Sequence, residues 1–182
     1  MQLAEANIVL CGFMASGKTS VGEALGAITH RQLVDTDDLI AAEAGVSIPQ
    51  IFERDGERAF RELERGIVSE IAKRKGLIIT LGGGAVLDER NVADLMANGR
   101  VYWLKVAPED VLDRTGRGDD RPLLPTDTDK LGKMMDCREN AYSNAADVVI
   151  DASGMDIHDV AEQILLDFNR LDGGGDQGHG RC

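Results

Sequence analysis

Residues 8–19 read IVLCGFMASGKT: the run Ile8-Val9-Leu10-Cys11, then Gly12-Phe13-Met14-Ala15-Ser16-Gly17-Lys18-Thr19. Four apolar residues ended by a glycine have the pattern of a strand buried on both faces of a parallel sheet. The next eight fit G-x-x-x-x-G-K-[ST] in full, and Val21, Leu25 and Ile28 then recur at helical spacing. Strand, glycine loop and helix come in the order a phosphate cradle needs. The glycines let backbone N–H groups curl around phosphate oxygens, and the helix N-terminus adds the positive end of its dipole. Lys18 is placed to reach the β- and γ-phosphates, and Thr19 to ligate Mg²⁺. A glycine turn that merely joins strand to helix is the competing reading, and the full motif in its proper context speaks against it. The stretch points to a nucleoside triphosphate without naming a reaction.

Working outward, Gln32–Asp35 reads as a second strand and Asp38–Ala44 as a helix stopped by Gly45. Ser47-x-x-Gln50 is a capping box opening a helical stretch, and Phe60, Leu63, Ile67, Val68 and Ile71 mark a long amphipathic helix closed by Lys73-Arg74-Lys75-Gly76. Further strands fall at Leu77–Leu81, Val101–Leu104 and Val148–Ile150, separated by helices near Asn91–Ala97, from Pro108, and over Lys130–Asn144. Asp156 caps a last helix to about Arg170. Residues 116–128 lack periodicity and hold two prolines, so they read as a mobile loop, and 173–182 read as a glycine-rich disordered tail. Five strands alternating with helices predict an α/β fold, a three-layer sandwich around a five-stranded parallel sheet, with one domain over residues 1–172.

Composition narrows the class. The chain has 182 residues, 32 acidic against 20 basic, for a net charge of −12. So acidic a chain is unsuited to non-specific nucleic-acid binding, which needs a basic face. No apolar run approaches the roughly 18–20 residues of a membrane span, and the start has no basic n-region, so a cytoplasmic protein without membrane or nucleic-acid partners is expected. Cys11, Cys137 and Cys182 form no C-x-x-C spacing, which indicates neither a disulfide framework nor a zinc site. Three histidines, His30, His158 and His179, share no ligand spacing. Trp103, Tyr102 and Met134-Met135 read as core, and Cys11 as an inert buried thiol.

Three further features bear on an acceptor. Asp35-Thr36-Asp37 closes the second strand, where two carboxylates could serve Mg²⁺ and a hydroxyl, or simply cap a helix. Arg61 and Glu64, three apart on a helix, read by default as a surface ion pair worth under ~1 kcal/mol. Gly82-Gly83-Gly84 directly after a buried strand reads either as a tight turn or as backbone amides left open to a close ligand.

Taken together, GFMASGKTSVG, DTD, GVSIPQIFERDGERAFRELE, TLGGGAV, RTGRGDDRPLL and CRENAY resemble the shikimate kinase family, in order and with matching intervals over roughly residues 7–170. The resemblance implies a P-loop NTPase fold of the nucleoside-monophosphate-kinase-like kind, with an acceptor-binding segment over about 36–64 and a mobile lid over about 114–128. It implies transfer of the ATP γ-phosphoryl group to the 3-hydroxyl of shikimate, toward the aromatic amino acids, by a monomer using Mg²⁺. Gly12, Ala15, Ser16, Gly17, Lys18, Thr19 and Ser20 then resemble the nucleotide loop, with Thr19 and Asp35 on the metal. Asp37 resembles the residue that binds the shikimate hydroxyls and helps deprotonate the attacking one. Arg61 and Arg138 resemble the pair gripping the substrate carboxylate, with Gly82, Gly83 and Gly84 beside them and Glu64 holding Arg61. Arg121 resembles the lid arginine on the transferring group, and Arg114 the arginine stacked on adenine, while Arg117 matches no fixed position. Departures are mild: Ala15 and Ser16 inside the loop, and Leu81 where the family more often has threonine. The alternatives are a kinase for another polyol acid such as gluconate, or a nucleotide-binding relative without catalysis. The latter should show a broken Lys18, Asp35, Asp37 or Arg121, and none is broken.

Overall fold

A computed structural model of the chain describes residues 5–115 and 127–173. The first strand, β1 (Asn7–Cys11), is buried along its whole length, and the helix α1 (Lys18–Thr29) follows the glycine loop. Then come β2 (Leu33–Asp35), α2 (Thr36–Ala44), α3 (Ile48–Ile71), β3 (Ile78–Thr80), a 3₁₀ turn (Ala85–Leu87), α4 (Glu89–Asn98), β4 (Gly99–Lys105), α5 (Pro108–Thr115), α6 (Thr128–Ala145), β5 (Val148–Asp151) and α7 (Ile157–Gly173). The five strands form one parallel sheet in the order β2-β3-β1-β4-β5.

Side-chain alternation along β1 divides the core. Ile8 and Leu10 pack on one face with Val21 and Leu25 of α1 and Ile164 and Phe168 of α7; Val9 and Cys11 pack on the other with Val68 of α3 and Leu95 of α4. Burial of each such Val, Ile or Leu contributes about 1.5–3 kcal/mol, more than any exposed ion pair here can supply, so apolar packing holds the sheet. The polar exception in β1, Asn7, is satisfied: its side chain donates to Arg74 O at 2.8 Å and accepts from Leu77 N at 2.9 Å. Chain order reverses beside β1, since β2 and β3 lie on one side and β4 and β5 on the other. The carboxyl end of β1 therefore faces the crevice where doubly wound sheets bind ligands.

The helices differ from the sequence reading in instructive places. α2 starts at Thr36 and not at Asp38, because Asp35 accepts from Asp37 N at 2.9 Å and caps it two residues earlier. The two helical stretches expected after Ser47 are one element, α3, kinked at Gly56 (φ 81°, ψ 172°). A third apolar cluster, Ile40, Ile51 and Phe60, joins α2 to α3 and gives the 36–64 segment its own small core. α7 runs on to Gly173, past the end expected near Arg170. α6 begins at Thr128, capped by Asp127, and most of the expected lid, together with the tail from 174, lies outside the described residues. No helix among the described residues is long and apolar enough to cross a membrane.

α4 offers a pH test of the fold. Asp88 caps it, accepting from Arg90 N at 2.9 Å, and pairs with the Arg90 guanidinium at 2.7 Å. These hydrogen bonds hold its carboxyl at about 2, against 3.8 unperturbed. A depressed carboxylate contributes stability that is present above its unfolded pKa and lost as pH falls through the folded one. Asp88→Asn should therefore lower Tm at neutral pH, and the gap from the parent should close between about pH 4 and about pH 2. Thermal melts across that range check it; a gap that stays constant to pH 2 would contradict it.

Candidate active site

The phosphate loop bends through left-handed backbone at Ala15 (φ 58°) and Gly17 (φ 92°) before α1 begins. Lys18 Nζ donates to Gly12 O at 2.9 Å and Phe13 O at 2.8 Å, so the ammonium lies over the loop's own carbonyls. An open cleft of about 650 Å³ lies in front of it, lined by residues 14–21 together with Asp35, Asp37, Gly83 and Arg114. Its volume suits a nucleotide. Gly12 does not line this cleft. It is buried beneath the loop, where a Cβ would sit 2.6 Å from Leu104 O. Arg114 Nη1 donates to Ala15 O at 3.0 Å and lies across the loop.

Asp35 is fixed from two sides. Thr80 Oγ1 donates to its Oδ2 at 2.6 Å, and Oδ1 accepts from Asp37 N. The exposed Thr19 hydroxyl lies 3.4 Å from the same Oδ2. Helix cap and metal ligand are thus compatible duties for Asp35. The donor set is hard oxygen, and among the described residues no group of three or more His, Cys, Asp or Glu is arranged to hold a metal ion. That fits Mg²⁺, which takes one or two protein oxygens plus phosphates and water, and fits zinc poorly.

The triple glycine works differently from a row of open amides. Gly82 N donates to Thr36 Oγ1 at 2.9 Å, so this amide is taken. A Cβ at Gly82 would run into Asp37 Oδ1, and one at Gly84 would lie 2.6 and 2.7 Å from the Arg61 guanidinium nitrogens. Absence of side chains here admits neighbouring side chains. Arg61 in turn is half-buried, and one of its two acidic partners is buried. Glu64 is 2% exposed and binds Arg61 Nη1 at 2.8 Å, while the exposed Glu57 touches Nη2 at 3.4 Å. Burial pushes the Glu64 carboxyl up, Arg61 pulls it partly back, and Asp37 is close enough to raise it further. With one partner buried and the other about a third exposed, the pair is worth more than a surface pair and less than a fully buried one. Arg61, Glu64 and Gly84 line a second hollow of about 540 Å³. Arg138, on α6, places its guanidinium 5.5 Å from the centroid of Phe13, in the phosphate loop.

The family model described as shikimate kinase matches residues 14–169. The chain belongs to the shikimate kinase family. Among its relatives, the shikimate kinase of Caldanaerobacter subterraneus subsp. tengcongensis is 38% identical over 92% of this chain and 98% of its own length. That of Thermoanaerobacter pseudethanolicus is 40% identical over 91% and 97%. The solved shikimate kinase of Acinetobacter baumannii in complex with shikimate superposes with a TM-score of 0.84 at 34% identity, covering 94% of this chain and 96% of that one.

Of the residues expected from the sequence of this shikimate kinase family member, Ala15, Ser16, Gly17, Lys18, Thr19, Ser20, Asp35, Asp37, Gly83 and Arg114 gather on the first cleft. Arg61 and Gly84 share the neighbouring hollow. Arg121 and Arg117 lie outside the described residues. Cys11 is buried and its thiol is pushed up to about 12, in keeping with inertness. Sequence reasoning missed Thr80 behind Asp35, Thr36 behind Gly82, and the β5–α7 turn, whose Ala152 and Met155 line the first cleft. DTD contained a signal for Thr36; the turn had none.

Proposed function

We propose that the chain transfers the γ-phosphoryl group of ATP to the 3-hydroxyl of shikimate, giving shikimate 3-phosphate and ADP on the way to chorismate and the aromatic amino acids. One observation carries the reading. Asp37 lines the nucleotide cleft with Lys18 and Thr19, and it also packs against Gly82, two residues from the Gly84 that Arg61 covers. Phosphate site and acceptor site thus share a carboxylate. The Acinetobacter relative captured with shikimate supports the choice of acceptor.

Shikimate is a small carboxylic acid with ring hydroxyls, so it needs a fixed cation and a fixed acceptor. Arg61 provides the first: it keeps Glu64, which is buried, and exchanges the exposed Glu57 for the substrate carboxylate. Arg138 is the second arginine on that group. Asp37 accepts the attacking hydroxyl's hydrogen bond and takes its proton as oxygen bonds to the γ-phosphorus and the β–γ bridge breaks. Lys18 leaves its loop carbonyls for phosphate oxygens. Thr19 and Asp35 would hold Mg²⁺, which when bound would supply charge neutralisation on the phosphates. Arg121 stabilises the group in flight, and Arg114 with the β5–α7 turn holds the adenine. The unit acts as a monomer.

ADP release followed with a coupled assay tests this reading. Release is expected only with Mg²⁺ and shikimate both present, and chelation of the metal or omission of shikimate should reduce it to background. Equal release without shikimate would contradict it.

A further inference from the structure

Tyr142 of α6 has no role in the reading so far, yet it holds the glycine segment directly. Its phenol donates a 2.6 Å hydrogen bond to Gly83 O. The side chain is 2% exposed, and its ring stacks on Trp103 of β4 with centroids 5.6 Å apart and planes 19° from parallel. The core therefore sets where the hydroxyl points. Burial pushes that hydroxyl up to about 12, with Arg138 pulling it partly back, so it remains a donor throughout the working pH range.

Backbone and Thr36 also hold this segment. Gly82 N is taken by Thr36 Oγ1, and Gly82 O accepts from Ala85 N at 3.0 Å. The chain has no cis peptides among its described residues, and in a trans peptide the carbonyl and the following N–H point opposite ways. With Gly83 O turned onto Tyr142, the Gly84 N–H must point away from α6. Gly84 is the glycine covered by the Arg61 guanidinium. Arg138 sits one helical turn before Tyr142, so the same hydrogen bond registers α6, and with it the second arginine, against the glycines.

We propose that Tyr142 is a positioning residue for acceptor binding: by holding Gly83 O it aims the Gly84 N–H at the same anion that Arg61 and Arg138 receive. The inference rests on the reading of Arg61 as the carboxylate-binding arginine. It assigns Tyr142 no contact with the reacting atoms, so its loss acts on binding of the acid and leaves the phosphoryl chemistry alone.

Tyr142→Phe keeps the ring and its stacking and removes only the hydroxyl. It should raise the KM for shikimate about tenfold, the usual weight of one well-aimed hydrogen bond, with kcat and the KM for ATP within about twofold. Tm should fall by no more than about 2–4 °C. Calorimetric titration with shikimate and with its methyl ester separates positioning from general loosening. The ester carries no anion, so its affinity should change by about twofold or less where that of the acid falls about tenfold. An unmoved shikimate KM, or equal losses for acid and ester, would overturn the positioning role while leaving the functional reading intact. A parent chain that does not phosphorylate shikimate would overturn the functional reading, and this inference with it.

Discussion

Lys18→Met should lower kcat for shikimate phosphorylation by about 10²–10³-fold, the scale expected when one preorganised charge donor is removed from a transferring group. The ammonium already sits over the phosphate loop, held at 2.8 Å by Phe13 O and 2.9 Å by Gly12 O. Those are interactions with neutral carbonyls, readily exchanged for phosphate oxygens that carry full charge and bind roughly twice as strongly. Because the charge on those oxygens shifts as the γ-group leaves, loss of the ammonium falls on the transition state more than on ground-state binding. The shikimate KM should move little, since Lys18 does not line the hollow holding Arg61 and Gly84. Methionine retains the aliphatic stem, so Tm should stay within about 2–4 °C of the parent. Steady-state kinetics with each substrate varied in turn checks this. A variant with kcat intact and only the shikimate KM raised would contradict the placement of Lys18 on the phosphates.

Gly84→Ala is expected to separate binding from folding. The backbone there (φ −107°, ψ −6°) is one that alanine adopts without strain. What alanine cannot share is the space of the Arg61 guanidinium, 2.6 and 2.7 Å from the added methyl. The obstacle is the far end of a flexible side chain, so the fold yields cheaply and Tm should change by no more than about 2–4 °C. The arginine, however, must swing by on the order of an ångström, and a misplacement of that size costs about 10²-fold in a positioned site. The loss should appear as a raised KM for shikimate with the KM for ATP unchanged, because the carboxylate is equally charged in ground and transition states. Arg61→Ala is the poorer experiment, since it also strands the buried Glu64 and so confounds binding with stability. A Gly84→Ala protein with parental shikimate KM would mean that Arg61 does not grip the acceptor from its observed position.

These two cases also show where the sequence was legible. The strand, loop and helix around Lys18 could be read directly, because motif, apolar run and helical period are local and agree. The parallel sheet followed from alternation, while the DTD and triple-glycine stretches each kept two readings until the family resemblance marked them as candidate site segments. What could not be read was how side chains meet across the fold. Spacing of three placed Arg61 and Glu64 on one face of α3 but could not say that this face turns inward, since burial of Glu64 depends on packing against distant residues. Spacing left the triple glycine open between a tight turn and amides facing a ligand, and it could not show that the Gly82 amide is held by Thr36, a contact 46 residues away along the chain. Tyr142 reaches Gly83 across 59 residues, and no local pattern announces it. The kink in α3 at Gly56 joined two expected helices for a similar reason: both halves dock on one apolar cluster.

The most direct test of the central claim is the position of the transferred phosphate. With ATP, Mg²⁺ and an equimolar mixture of shikimate and gluconate, ³¹P NMR should show ADP and a single phosphomonoester, assigned by its proton coupling to the 3-position of shikimate. Phosphate on gluconate, phosphate on another shikimate hydroxyl, or inorganic phosphate as the main product would contradict it.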